Sequence, residues 1–342
     1  MKQFKGYMHG VNLGGWLSQC VHTKEHYDSF INEMDIRKIK SWGMDHIRVP
    51  VDYDLVEEAD GTYKESGFAY LDEIIEWCGK HGLNMILDLH KTFGFSFDSG
   101  EHEAGFFDNE KYQERFYRLW EEFARRFGGF SDRLAFELLN EVTAKEYCER
   151  WNRISRTCIE RIRKISRDVK ILIGGYYNNS IEGLKGLEDP YDDNIVYNFH
   201  CYEPLIFTHQ GAPWIDSMDT SFRMKVDSTY AEYVRYSSEQ LKGFTVDLSS
   251  YEQDKPLGVE YFENLMEEAV SIAESKNVAL YCGEFGVIDR ATPEDALKWY
   301  ELICSCFEKH SIGRAAWSYK KMDFGLSDER MSPVIEKLLK LI

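Results

Sequence analysis

The feature that most restricts this 342-residue chain is a regular alternation of short apolar runs with longer amphipathic stretches. Eight runs read as strands: MHGVNLGG (8–15), DHIRVPV (45–51), NMILDLH (84–90), LAFELLN (134–140), KILIGG (170–175), NIVYNFHCY (194–202), ALYCGEFG (279–286) and RAAWSY (314–319). Between them, apolar residues recur at spacings of three and four, as in helices that bury one face. Trp151, Ile154, Cys158, Ile162 and Ile165 follow this rule, and so do Phe262, Leu265, Met266, Ala269 and Ile272. Many of these stretches end in a glycine turn, as in SWGMDH, KHGLNM and RRFGGF. Eight strand–helix units in one chain predict an α/β fold, a (β/α)8 TIM barrel forming a single domain over residues 1–342. A doubly wound sheet is the competitor. It would be expected to carry a glycine-rich dinucleotide turn, and GVNLGG lacks the G-x-G-x-x-G order.

One interval is too long for an ordinary connection. It opens with EPLIFTHQGAPWIDSM after the sixth strand and runs to the helical pattern that starts near Leu257. Short helical patterns near 222–236 and 237–243 make it a small insertion subdomain at about 203–257. The sixth strand–helix loop lies on the face of a barrel where chemistry is housed, so this insertion is expected to wall a cleft.

Charge narrows the partners. The chain has 41 Lys and Arg against 59 Asp and Glu, a formal net charge of −18. That balance argues against a nucleic acid, whose phosphates need clustered cations, and against an anionic membrane surface. No apolar run approaches the ~18 residues of a membrane-spanning helix. The opening MKQFKGYMHGVNLGGW has no signal-peptide core. The eight cysteines form no C-x-x-C pair and read as reduced core thiols. Together these features suggest a monomer that is cytoplasmic, or exported without a classical signal peptide. The 21 Tyr and 8 Trp supply flat faces of the kind that cover the C–H faces of sugar rings, although most aromatic residues must simply be core.

The strands end in polar residues, and strand ends of a barrel converge on one mouth. Strand two ends near Arg48, strand three in Asp88, His90 and Lys91, and strand four in Asn140 and Glu141. Strand six carries His200 and Tyr202, strand seven ends in Glu284, and strand eight in Trp317. Any one of these has a plain reading as a solvated or packed residue; their convergence is what points to chemistry. Glu141 and Glu284 come from opposing sides of the barrel, where two carboxylates can act across a glycosidic bond. Arg48 and a tyrosine could keep one of them ionised, Asn140 could meet a sugar 2-hydroxyl, His90 and His200 could bond hydroxyls, and Trp317 could form a floor. Two other readings stay open at this point. Asp88, His90, Glu141, His200 and Glu284 could ligate a metal, although strand one offers only His9 to start such a site. The barrel could also bind sugar without turning it over.

Taken together, LAFELLNEV, YCGEFGV, HIRVPVDY, LDLH, YNFHCYEP and AAWSYKKMDFG resemble glycoside hydrolase family 5, the retaining (β/α)8 cellulases and related β-glycanases. The likeness covers about residues 8 to 325. GVNLGGWLSQ fits the glucanase branches, and FTHQ with YKKMDF resembles a bacterial endoglucanase branch carrying a helical subdomain in the same loop. The resemblance implies a retaining endo-β-glucanase acting on β-1,4- or mixed β-1,3/1,4-glucan, with no metal and no organic cofactor. Mannan or glucomannan hydrolysis and exo-β-1,3-glucan cleavage are its alternatives. It assigns Glu141 as acid/base, Glu284 as nucleophile, Arg48 as the brace of the nucleophile, and His90, Asn140, His200, Tyr202 and Trp317 as substrate-binding residues. Trp214, in the insertion, is implied as a subsite wall. Two departures stand out. Lys91, a further substrate-binding residue, occupies the place of a second histidine and puts a cation in the sugar subsite, and Val142 takes the place of the proline after the acid/base.

Overall fold

The computed structural model describes residues 1–98, 104–243 and 247–342. Its centre is a closed barrel of eight parallel strands in sequence order: β1 (His9–Asn12), β2 (His46–Asp52), β3 (Asn84–Lys91), β4 (Leu134–Glu137), β5 (Lys170–Gly174), β6 (Ile195–His200), β7 (Ala279–Phe285) and β8 (Gly313–Ala316). β8 pairs with β1, so the sheet has no free edge. The eight expected strands are present, and several are shorter than their apolar runs. β4 stops at Glu137 and β8 at Ala316, while the chain beyond continues into the mouth.

Two apolar layers hold this shape. Alternate strand residues point outward, where Ile47, Val49, Leu87, Phe136, Ile171, Tyr197 and Phe285 pack under the helices. The others point inward: Ile86, Ala135, Leu172, Val196, Tyr281 and Ala315 fill the lower barrel, closed from below by Phe4 and Tyr7, which stack at 4.0 Å. The helices follow local rules. The helix Glu65–His81 buries Phe68, Leu71, Ile74, Ile75 and Cys78 on one face and ends at Gly82, whose φ of 66° needs a residue without Cβ. The helix Pro293–His310 starts with Thr292 as its cap and proline in its first turn.

Between β6 and the helix Val259–Ser275 lies the long connection. Its main regular element is the helix Tyr230–Gln240, opened by a reciprocal cap between Thr229 and Glu232. This one helix spans parts of both expected patterns; residues 222–228 are irregular. All eight cysteines are free thiols, six of them buried. No helix of the described residues is long and apolar enough to cross a membrane.

Barrel closure depends on close approach at Gly313, where an added Cβ would sit 2.0 Å from the Tyr7 carbonyl oxygen. That atom belongs to backbone and cannot rotate away. Gly313→Ala should therefore cost about 2 kcal/mol, read as a lower urea midpoint at unchanged slope.

Candidate active site

Above the apolar filling, the inward positions turn polar. Asp88, Glu137 and Asn198 stand two residues further along their strands than the apolar plugs Ile86, Ala135 and Val196, Asn12 and Arg48 stand two beyond Gly10 and His46, and all five are fully buried. Arg48 is their hub. Its Nε and Nη2 donate to the two oxygens of Glu137 at 2.7 and 2.8 Å. Nη1 donates to Glu284 Oε1 at 2.7 Å and to Asn12 Oδ1 at 2.9 Å. Nη2 also reaches Asn140 Oδ1 at 2.8 Å and Asp88 Oδ2 at 3.0 Å. The sequence places Arg48 near the end of strand two. In the structure β2 follows the whole apolar run and continues to Asp52, four residues past Arg48, so the guanidinium sits below the mouth, inside the barrel.

Glu141 and Glu284 meet across this hub. Neither is carried by an uninterrupted strand. After Glu137 the chain leaves β4, and Glu141 takes a left-handed backbone, φ 46°, that turns its carboxyl inward. β7 shifts register against both neighbours around Gly283 and Glu284, a bulge that re-aims side chains. Oxygen atoms of Glu141 and Glu284 and a ring nitrogen of His200 all lie within 4.8 Å of one another. His200 Nδ1 is 2.7 Å from Glu141 Oε1 and 3.6 Å from Glu284 Oε2. The Tyr202 hydroxyl donates to Glu284 Oε2 at 2.9 Å. Asn178 Nδ2 donates to Glu141 Oε2 at 3.1 Å.

Burial raises both carboxyls to about 7. They titrate as a pair, and the first negative charge belongs on Glu284. Arg48 and Tyr202 both bond that carboxylate directly, whereas Glu141 is held by neutral donors. His200 is itself neutral, because burial lowers its pKa to about 4.

The other expected residues fall around this pair. His90 Nδ1 lies 2.5 Å from Asp88 Oδ2, and its ring is parallel to that of Trp317, centroids 5.8 Å apart. Burial lowers His90 to about 3 and raises Asp88 to about 7. Trp317 packs with Ala212, Ile288 and Phe324 beside the mouth. Asn140 keeps its Nδ2 buried without a protein partner. Lys91 is buried and pairs with Asp98 at 2.7 Å, so its charge is matched within its own loop. Trp214 is 43% exposed and stands apart from the two carboxylates, linked to Tyr202 through the edge-on ring of His209. Val142 is buried in the main core, and its carbonyl accepts the Asn178 N–H at 3.1 Å. The five donors of the metal reading do not gather into one group. Asp88 and His90 pair with each other, apart from the cluster of Glu141, His200 and Glu284, where Arg48 and Tyr202 already bond the two oxygens of Glu284.

Sequence reasoning missed Glu137, Asn12, Asn198, Asn178 and Asn179, and gave Asp88 a role only as a metal donor. Glu137 carried a usable signal, a carboxylate inside an apolar strand and hence on its inward face. Asn178 had none, since a polar loop residue is ordinary.

The model of the family described as cellulase (glycosyl hydrolase family 5) matches residues 8–323. The chain is 48% identical over 314 residues to Cellodextrinase A of Ruminococcus flavefaciens, covering 92% of this chain and 86% of that one. It is 40% identical over 338 residues to Endoglucanase C of Acetivibrio thermocellus, 97% of each. Among solved structures it superposes on an endoglucanase, Cel5A, from Thermotoga maritima, with a TM-score of 0.77 at 24% identity over 98% of this chain and 97% of that one.

Removing the Tyr202 hydroxyl takes away a donor that favours ionised Glu284. Tyr202→Phe should raise the lower carboxyl titration of the pair by about one pH unit, followed by NMR of carboxyl-labelled glutamate.

Proposed function

Because the chain belongs to the cellulase family of glycosyl hydrolases, family 5, we propose that these residues hydrolyse β-glucan by double displacement. The enzyme is a cellulase-type retaining endo-β-glucanase. The observation that carries the stereochemical reading is the approach of Glu141 and Glu284 to within 4.8 Å. Retaining glycosidases hold their carboxyls ~5–5.5 Å apart, while inverting ones leave ~6.5–9.5 Å for a water.

In this reading Glu284 is the nucleophile. Arg48 and Tyr202 keep it anionic and aim it at the anomeric carbon. Glu141 gives its proton to the leaving glycosidic oxygen as the Glu284–glycosyl ester forms. It then takes a proton from the water that attacks the same carbon, and the ester bond breaks. Asn140 meets the sugar 2-hydroxyl with its unpartnered Nδ2, since a buried amide donor needs an acceptor. Trp317 and the parallel His90 form the wall beside the reacting ring. The connection 203–257 is the cleft-side subdomain, and the exposed Trp214 offers a more distant sugar a flat face. The Lys91–Asp98 pair lines the neighbouring loop as a neutral unit. The substrate class is β-1,4- or mixed β-1,3/1,4-glucan, and the free thiols favour a reducing compartment.

Three results test this. Carboxymethylcellulose and barley β-glucan should be cleaved with initial release of the β-anomer by NMR, and activity confined to mannans would overturn the substrate reading. Glu284→Gln should lower kcat by about a thousandfold or more. Glu141→Gln should do the same for polymer, yet spare kcat/KM for aryl glycosides with acidic leaving groups, whose departure needs no proton, while kcat on them falls because the attacking water has lost its base. The active form is the singly protonated pair. Rate should fall at low pH as Glu284 takes up a proton and at high pH as Glu141 loses one, with the alkaline limb at about 7.

A further inference from the structure

After β5 the chain runs through three consecutive left-handed residues, Tyr177 (φ 52°), Asn178 (φ 56°) and Asn179 (φ 56°). Each such residue other than glycine costs about 1–2 kcal/mol, least for asparagine. Several ties hold the run in place. Gly174 and Gly175 let it fold back, since Cβ atoms there would meet the Asn179 amide and the Gly183 carbonyl at 2.1 Å. The Asn178 N–H is bonded to the Val142 carbonyl, one residue past Glu141. From this run Asn178 Nδ2 reaches Glu141 Oε2 at 3.1 Å, and Asn179 Nδ2 lies 3.4 Å from His200 Nε2.

The hydrogen positions follow from these contacts. The Asn179 amide can only donate from Nδ2, so His200 Nε2 accepts and the ring proton lies on Nδ1. Nδ1 then donates to Glu141 Oε1. Both oxygens of Glu141 therefore receive donors, an arrangement suited to a carboxylate rather than to a carboxylic acid. The acid is needed in the first displacement, the carboxylate in the second.

We propose that Asn178 is a positioning residue for the second half of the reaction, holding Glu141 as the base that takes a proton from water while water oxygen attacks the glycosyl carbon and the bond to Glu284 breaks. The inference rests on the double-displacement reading above. The other groups around Glu141 are Arg48 from β2, Asp88 from β3, Asp98 from the following loop, Glu137 from β4, His200 and Tyr202 from the end of β6, and Glu284 from β7. Removing Asn178 leaves all of these in place and removes one donor.

The test uses Asn178→Gly, which keeps the left-handed backbone without strain, and Asn178→Asp, which keeps the size but cannot donate. With 2,4-dinitrophenyl cellobioside, breakdown of the glycosyl-enzyme limits turnover. Both variants should lose about tenfold in kcat, with KM falling in parallel and kcat/KM near wild type below pH 6. On barley β-glucan, whose leaving sugar does need the proton, the alkaline limb of kcat/KM should move up by about one pH unit, because the lost donor no longer favours ionised Glu141. Equal falls in kcat and kcat/KM, or unchanged kcat, would overturn the inference. Trapping of wild-type enzyme with a 2-deoxy-2-fluoro cellobioside keeps the two levels separate. Mass addition at Glu284 confirms the underlying reading, so a failed variant test then counts against Asn178 alone; no mass addition would sink double displacement itself.

Discussion

One buried guanidinium organises the mouth of this barrel. Arg48 is fixed in charge and planar, with five N–H donors in a rigid fork. Every one of its contacts is to a side chain from a different strand or loop: Asn12, Asp88, Glu137, Asn140 and Glu284. The bidentate grip of Glu137 sets the plane of the fork, and that plane decides where Nη1 meets Glu284. Three carboxylates share one cation in a dry interior. Burial consequently pushes Asp88 and Glu284 to about 7, and raises Glu137 as well. Raised carboxyls of this kind suit acid–base work on a glycosidic bond.

The fold was legible because its signal is distributed. Eight strands each announce themselves by apolar runs, and no single misread boundary changes the topology. The mouth was legible where a polar residue ended an apolar run, as at His90, Glu141, His200 and Glu284. It was illegible one layer lower. Glu137 sits within LAFELLNEV, and its neighbours hid it. Counting by twos along the strand from inward Ala135 would have placed it inside the barrel, as counting from Val196 would have placed Asn198. The support from Asn178 was out of reach for another reason. It depends on a backbone path through left-handed residues that leaves no periodic trace.

The two departures from the family pattern have local explanations. Lys91 stands where a histidine is usual, and Asp98 answers its charge with an ion pair. Val142 stands where a proline is usual. The turn that presents Glu141 is made by Glu141 itself, and Val142 contributes burial and a carbonyl that anchors the β5 loop. Neither change disturbs the hub around Arg48.

The irregular register of β7 has a wider meaning. Cys282 faces the helices and Gly283 faces Asn198, so strict alternation would send Glu284 outward and Phe285 inward, yet Phe285 faces the helices. The extra residue turns it back toward Arg48. The placement of Glu284 is therefore specified by a count of residues as much as by its own identity. A relative that kept every residue but paired this strand without the bulge would still spell the surrounding letters correctly, still close its barrel, and point its carboxylate into the wall.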